Sequence, residues 1–367
     1  MKRMMIAAAL AAMSVAFVGC GGKPKIPANT VAAAYVNVDR AIWNAAEIAD
    51  DIIDAVKNDD LRKMYEEQYK TFIKENKDDI RALGLDWACV TAGMDKDTFQ
   101  QEIAVAVKCD CEAKLKAAGD QSLVDLAKAA FGNPLFEANG CGVYFLPLGG
   151  ALPTGGIGVD GVLFTFVEGK YIVATAVSGQ PGDTDQAFMK KMVALYKDND
   201  GEKSGEFDDL AALGDDAVAR VQTAGVNAIV DLFGFRKAVE EFAEKCGDDD
   251  LVEMLTDISN VTLDINLSDD TAGLELSVDA GSKELAKLVE GLFNVVAFSD
   301  RVLTAWAVGM SDMVEGAAGK DGVTALKAAS GMLRECIEAD RSGSVAKLKI
   351  EIDTDDLIDE IVPELTK

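Results

Sequence analysis

Two short runs in the second half of the chain alternate strictly between apolar and polar residues. Val261-Thr-Leu-Asp-Ile-Asn-Leu267 is the first, Leu274-Glu-Leu-Ser-Val278 is the second, and the polar stretch 268–273 separates them. Because successive side chains of a β-strand point to opposite faces, this alternation predicts two strands, each with one buried and one solvated face. The connection predicts an antiparallel hairpin, and a helix is expected over 282–293.

The first half of the chain repeats this pattern. Residues 87–112 align without a gap with residues 258–283, so that Val90 corresponds to Val261 and Val107 to Val278. A second hairpin pattern over 164–177 aligns in the same way with 295–308.

The opening strand and helix also recur, since Val31 and Ile42 match Val218 and Ile229, and residues 345–360 begin a third, truncated copy. Blocks in a shared order are the mark of an internal repeat. We therefore predict an α+β fold made by tandem duplication of antiparallel-sheet units, with helices packed on one face of each sheet.

The polar segment 197–209, which contains Gly201 and Gly205, separates the two copies. We predict a first α+β domain over 30–200 and a second over 206–367 that repeats the first. The first domain is expected to open with a strand over 30–38 and a helix capped by Asp39, followed by a charged helix over 60–83. Residues 345–352 are expected to complete the second sheet as residues 218–223 complete the first.

The first 19 residues have the layout of an export signal. Lys2 and Arg3 precede an apolar run over 4–18, which leads to Phe17-Val-Gly-Cys20. This ending resembles the lipobox of bacterial lipoprotein signal peptides, in which Leu usually stands where this chain has Phe17. The resemblance implies a lipoprotein signal peptide over 1–19, cleavage before Cys20 and a diacylglyceryl thioether on the Cys20 sulfur. Secretory cleavage after Ala16 and a retained anchor helix are the alternatives, although the run is short for spanning a bilayer.

Residues 20–29 contain Gly21, Gly22, Pro24 and Pro27 and are predicted to form a tether that holds the folded part slightly off the membrane. By resemblance to lipoproteins with an outer membrane, Gly21 in place of Asp after the cysteine favours outer-membrane sorting. The expected location is the cell envelope, at the outer membrane, facing the periplasm or the exterior.

Charge limits the partners of this chain. The net charge is −27, and removal of Lys2 and Arg3 with the signal leaves 34 basic against 63 acidic residues, or −29. Such a surface repels nucleic acid and anionic headgroups. Contact with the membrane is therefore expected through acyl chains on Cys20, with no nucleic acid bound; a protein or small-ligand partner is not identified by the sequence.

The chain contains no histidine. This excludes Ser-His-Asp and Cys-His catalysis and removes the commonest zinc ligand. Lipidation of Cys20 would leave six cysteines, an even number that suits disulfides in an exported protein, while buried free thiols are the alternative. The six residues are Cys89, Cys109, Cys111, Cys141, Cys246 and Cys336.

Three segments resemble nucleotide-, phosphate- or calcium-binding motifs, but each lacks a required feature. Gly156-Ile-Gly-Val-Asp-Gly161 matches a dinucleotide fingerprint but leads into a predicted strand instead of a helix. Residues 316–320 lack the first glycine and the final Ser or Thr of a phosphate-binding loop, and residues 198–202 lack the terminal acids of a calcium loop. The acidic pairs occur at expected turns and helix starts. We predict no catalytic, cofactor-binding or metal-binding residues.

The opening Ile26-Pro-Ala-Asn-Thr-Val-Ala-Ala-Ala-Tyr-Val36 and the hairpin layout resemble uncharacterised families of two-domain bacterial envelope proteins. The resemblance implies a fold and a compartment but no reaction. The first hypothesis for function is a lipid-anchored, non-enzymatic binding or structural module. The second is a carrier of a small apolar ligand between sheet and helices, and a hydrolase built on carboxylates ranks last. Six aromatic residues could line such a cavity, although residues at strand and helix spacing more often belong to a core: Trp43, Trp87, Trp306, Phe164, Phe166 and Phe298.

Overall fold

The structure is a computed structural model that describes residues 23–69, 84–98, 100–109, 112, 122–148, 159–198, 203–232, 236–237, 241, 256–268, 271–298, 336–356 and 358. These residues fall into two compact units. Unit 1 lies within Met1–Ala41 and Asp78–Ala212, and unit 2 lies within Ile42–Lys77 and Leu213–Lys367. The units differ from the predicted domains, 30–200 and 206–367, chiefly because residues 42–77 belong to unit 2.

The strands are β1 (Thr30–Asn37), β2 (Leu85–Met94), β3 (Gln101–Cys109), β4 (Phe136–Ala138), β5 (Cys141–Pro147), β6 (Gly161–Val167), β7 (Tyr171–Val177), β8 (Ala217–Thr223), β9 (Asn260–Leu267), β10 (Thr271–Asp279), β11 (Ile337–Ser342) and β12 (Val345–Asp353). The helices are α1 (Val38–Ala55), α2 (Asp59–Tyr69), α3 (Leu123–Phe131), α4 (Asp183–Lys197), α5 (Val226–Leu232), α6 (Lys283–Phe298) and the single turn α7 (Thr354–Asp356). The predicted α+β class is confirmed.

Unit 1 contains an antiparallel sheet in the order β1-β2-β3-β7-β6-β5-β4. Residues of β6 and β7 are buried on both faces of this sheet. The reason is that helices cover both faces. On one face Ala127 of α3 packs in a cluster with Phe164 and Ala174. On the other, the Thr175 hydroxyl contacts the sulfur of Met189 in α4 at 3.7 Å. The prediction of helices on one face is therefore wrong for unit 1.

Unit 2 contains an antiparallel sheet in the order β8-β9-β10-β12-β11. The predicted hairpin is confirmed as β9–β10, in which Val261 lies opposite Val278. The predicted strand 345–352 is confirmed as β12, and the segment 218–223, predicted for the first sheet, is β8 and pairs with β9. The apolar face of the β9–β10 hairpin is less buried than the alternation predicts. Ile265 and Leu274 on this face remain 38% and 40% exposed.

Helix α6 packs against the β11–β12 end of this sheet. Arg341 Nε of β11 donates to the Glu290 carboxylate of α6 at 2.9 Å. Ser282 accepts from the Leu285 backbone N–H at 3.2 Å and so caps the helix. The first helix differs from its prediction: Asn37, not Asp39, accepts from the Arg40 N–H at 3.1 Å and serves as the cap.

The gapless alignment of the two hairpins is wrong in register. Val90 lies opposite Val105 in the first hairpin, whereas Val261 lies opposite Val278 in the second. The registers differ by two residues, a shift that keeps each side chain on its face.

The second alignment also fails where it can be tested, because 164–177 is the β6–β7 hairpin while 295–298 is the end of α6. Small apolar residues suit either structure, so their match did not distinguish a helix from a strand. Residues 299–308 lie outside the described part of the chain, as does most of the predicted helix 60–83 beyond α2.

Candidate functional site

The predicted lipidation site, Cys20, lies outside the described residues, which begin at Lys23. The segment that follows it, Lys23–Asn29, was predicted to be part of the tether over 20–29. Instead it packs on unit 1, and the side chain of Ile26 is only 4% exposed. Burying an isoleucine stabilises such a contact by about 2 kcal/mol. We call Lys23–Asn29 the N-terminal arm; the tether prediction is wrong from Lys23 onward.

The arm is held first by the C-terminal end of α4. The Lys25 backbone N–H donates to the Tyr196 hydroxyl at 3.2 Å, and the same hydroxyl donates to the Lys25 carbonyl at 3.1 Å. Lys25 Nζ donates to the carbonyls of Leu195 and Tyr196 at 3.0 and 3.1 Å. These carbonyls lack partners within the helix, and a cation at this end also complements the helix dipole.

Residues 203–208 also bind the arm, through contacts with Lys23, Ile26 and Pro27. The Ser204 N–H donates to the Ile26 carbonyl at 3.0 Å, and Pro27 forms a β-bridge with Lys203. Lys23 Nζ donates to the Asp208 carbonyl at 2.6 Å. The arm is thus an extra extended segment in unit 1, bonded through its backbone as well as its side chains.

The end of the arm next to β1 binds the β2–β3 hairpin. Asn29 Nδ2 donates to the Met94 carbonyl at 3.3 Å and to the buried Glu102 carboxylate. Backbones approach closely here, because a Cβ built on Gly93 would lie 2.3 Å from the Asn29 carbonyl oxygen. A larger residue at position 93 would therefore displace the arm.

Ion pairs join this hairpin to α4. Lys191 Nζ lies 3.4 Å from carboxylate oxygens of both Asp95 and Glu102. The Asp95 carboxylate also accepts from the backbone N–H and the hydroxyl of Thr98, and these hydrogen bonds lower its pKa to about 2.

An aromatic cluster lies beneath the arm. The Trp87 ring lies 6.3 Å from Tyr35, 6.2 Å from Tyr171 and 6.5 Å from Tyr196 between centroids. Lys25 Nζ lies 5.8 Å from the centre of the Tyr196 ring, within the range of a cation–π contact. Burial raises the pKa of Tyr196 well above its ordinary value, so the hydroxyl stays protonated and able to donate to the arm.

The six aromatic residues that could have lined a ligand cavity do not form one within the described part of the chain. Trp87 and Phe164 are core residues, whereas Trp43 is 42% exposed. Phe166 packs against the Phe164 cluster. Trp306 and the Phe298 side chain lie outside the described part of the structure.

The sequence left disulfides and free thiols as alternatives, and in the structure Cys89 and Cys141 have free thiols. Cys89 is buried, which raises the pKa of its thiol far above the usual range, and burial is also the main cause of the raised pKa of Cys141. Cys109 is buried and Cys336 is half-buried. Cys111 and Cys246 lie outside the described residues.

Among the described residues no group of His, Cys, Asp and Glu side chains could hold a metal ion. A cleft of about 470 Å³ in unit 2 is open and is lined by Asp51, Asp54, Ala55, Asp355 and Ile358. Such an open, acidic cleft is a poor site for an apolar ligand, which proteins bury in an enclosed apolar pocket. Of the rejected motifs, Gly161 begins β6, and most of 198–202 and all of 316–320 lie outside the described residues.

No described helix is both long enough and apolar enough to cross a membrane.

Comparison with known proteins does not identify a family for this chain. No protein-family model and no curated protein matches the chain. Among solved structures, crystal form I of TP0453 is 8% identical with a TM-score of 0.37, over 95% of this chain and 99% of that one. Crystal form III of TP0453 is 7% identical with a TM-score of 0.35, over 93% and 98%. At these scores the likeness supports no argument about function.

The arm contacts were missed by sequence reasoning. Glycine and proline in 20–29 suggested a flexible tether, and the partners of Lys25 lie about 170 residues away in the chain. The one local signal was Ile26, the only large apolar residue in the stretch 20–29.

Proposed function

We propose that this protein is a lipid-anchored envelope protein that acts as a non-enzymatic binding or structural module. Acyl chains on Cys20 would hold it at the membrane, and the ending Phe17-Val-Gly-Cys20 supports this assignment. The observation that carries the proposal is the packed arm: three residues after Cys20, the chain is already bonded to unit 1. A lipid on Cys20 would therefore hold the folded unit itself.

The architecture suits a role without chemistry. In the described residues, the polar groups nearest the arm are engaged with the backbone or with each other, as Lys25 and Lys191 illustrate. The acidic surface would keep the protein soluble and off anionic headgroups, so stable attachment would depend on several acyl chains. Outer-membrane sorting, favoured by Gly21, belongs to the same proposal.

We also propose that units 1 and 2 arose by duplication, with a correspondence different from the gapless alignment. Strands β1-β2-β3-β7-β6 lie in the same spatial order as β8-β9-β10-β12-β11, and each row follows the chain in the same sequence. The hairpin β11–β12 would then correspond to β6–β7. An experimental structure should superpose these five-strand rows; rows that differ in strand direction or order would contradict the duplication.

A carrier of a small apolar ligand is the alternative function. It would need an enclosed apolar cavity, and the described cleft is open and lined by three aspartates. Saturable binding of a fluorescent fatty acid at micromolar concentration would favour the carrier over the binding or structural module.

The membrane proposal is tested by Cys20→Ser in cells fed a labelled fatty acid. We expect the label to be lost and the precursor to remain unprocessed, because the thioether requires sulfur. Cys141→Ser is the matched control, since it removes a partly exposed thiol elsewhere and should keep both label and processing. Labelling that survives in Cys20→Ser would contradict the proposal.

A further inference from the structure

The path from Cys20 to the packed arm is short. Three residue steps separate Cys20 from Lys23, and an extended chain covers about 10 Å over that length. Acyl chains on Cys20 must lie in the bilayer, so Lys23 cannot lie far above the headgroups while the arm stays bound. This step rests on the proposed lipidation of Cys20.

The arm is bound firmly enough to transmit this restraint. Its backbone is bonded on both sides, to Tyr196 of α4 and to Ser204. At its far end, Asn29 is bonded to the β2–β3 hairpin. Freeing the whole arm from unit 1 would expose Ile26 and leave the last carbonyls of α4 without Lys25.

We infer that unit 1 meets the membrane with one particular end: the C-terminal end of α4 together with residues 203–208. The partner of this end is the phospholipid headgroup layer. Helix α4 has 15 residues and is about 22 Å long, so its first turn lies on the opposite side from the anchored end. Surfaces near that first turn are then the ones available to a soluble partner.

The test measures energy transfer from a dye on unit 1 to an acceptor on lipid headgroups. The lipidated full chain is placed in phosphatidylcholine vesicles that contain a headgroup-labelled phosphatidylethanolamine. One dye site is Gly205→Cys, where an added side chain meets no atom within 4 Å, and the other is Thr184→Cys, exposed in the first turn of α4. Ala28→Cys, also exposed, is a second near site should Gly205→Cys fold poorly. Four other cysteines are first replaced by serine: Cys111, Cys141, Cys246 and Cys336.

The control variant carries ten Gly/Ser residues inserted between Gly22 and Lys23. A flexible spacer of that length adds roughly 17 Å of mean reach, enough to release unit 1 from the surface. We expect higher transfer at residue 205 than at residue 184 without the spacer, and a fall at residue 205 to the level of residue 184 with it.

Equal transfer at the two sites, or no change at residue 205 on adding the spacer, would overturn the inferred orientation. Flotation of the protein with the vesicles is scored in the same samples. If the full chain purified from membranes, without the spacer, does not float with the vesicles, the lipidation proposal and the orientation both fail. If it floats but the two dyes do not differ, only the orientation fails.

Discussion

Removing one oxygen atom should loosen the N-terminal arm. The Tyr196 side chain is 2% exposed, and its hydroxyl makes two hydrogen bonds to the backbone of Lys25, at 3.2 and 3.1 Å. Tyr196→Phe deletes both bonds but keeps the ring in its aromatic cluster. A neutral hydrogen bond contributes about 0.5–1.5 kcal/mol net, so the two together should stabilise unit 1 by about 1–3 kcal/mol.

Urea denaturation measures this loss. With a slope of about 2 kcal/mol per molar urea, a loss of 2 kcal/mol lowers the transition midpoint by about 1 M, while the slope stays the same. Limited proteolysis with trypsin is a second measurement, because a released arm exposes the peptide bond between Lys25 and Ile26 to cleavage.

The matched control is Tyr171→Phe. Tyr171 lies in the same cluster, 5.3 Å from Tyr196 between ring centroids, but its hydroxyl makes no hydrogen bond to the described residues. Its loss should shift the midpoint little. Equal midpoints for the two variants, together with an unchanged rate of tryptic cleavage, would refute the role assigned to the Tyr196 hydroxyl.

Three further predictions concern the same unit. Gly93→Ala places a Cβ 2.3 Å from the Asn29 carbonyl oxygen, so it should release the arm and speed tryptic cleavage there; an unchanged rate would contradict the close approach. In native protein a maleimide should modify Cys141 and leave the buried Cys89 untouched, and both should react after unfolding without reductant, as mass spectrometry can show. The pKa of Asp95 is lowered to about 2, so its stabilising effect is complete above its unfolded value and is lost as the pH falls from about 4 to about 2. Urea midpoints of Asp95→Asn should therefore change less over that range than those of the unaltered protein.

Strand alternation predicted the sheets well. Residues 261–278 form the expected hairpin, and residues 345–353 join the same sheet, because period-two patterning is a local property of the chain. The pattern did not predict the helices on both faces of unit 1. Phe164 of β6 and Thr175 of β7 face opposite layers, and neither strand contains a signal for which helix will cover its side chains.

The cap of α1 and the contacts of the arm could not be predicted from local sequence patterns alone. Asn37 and Asp39 are both good caps, and the structure selects Asn37 because the helix starts two residues earlier than the pattern suggested. The lipidation of Cys20 stays a prediction, made from a motif that is short and contiguous. The contacts of Lys25 depend on a helix end far along the chain, so no window of sequence around residue 25 contains them.

The central claim is that a lipid on Cys20 anchors the folded chain, and the mass of the mature N-terminal peptide tests it most directly. Protein extracted from membranes with detergent should yield a peptide that begins at Cys20 and carries a thioether-linked diacylglyceryl group. An unmodified peptide that begins at Phe17, as ordinary secretory cleavage after Ala16 would produce, would contradict the claim.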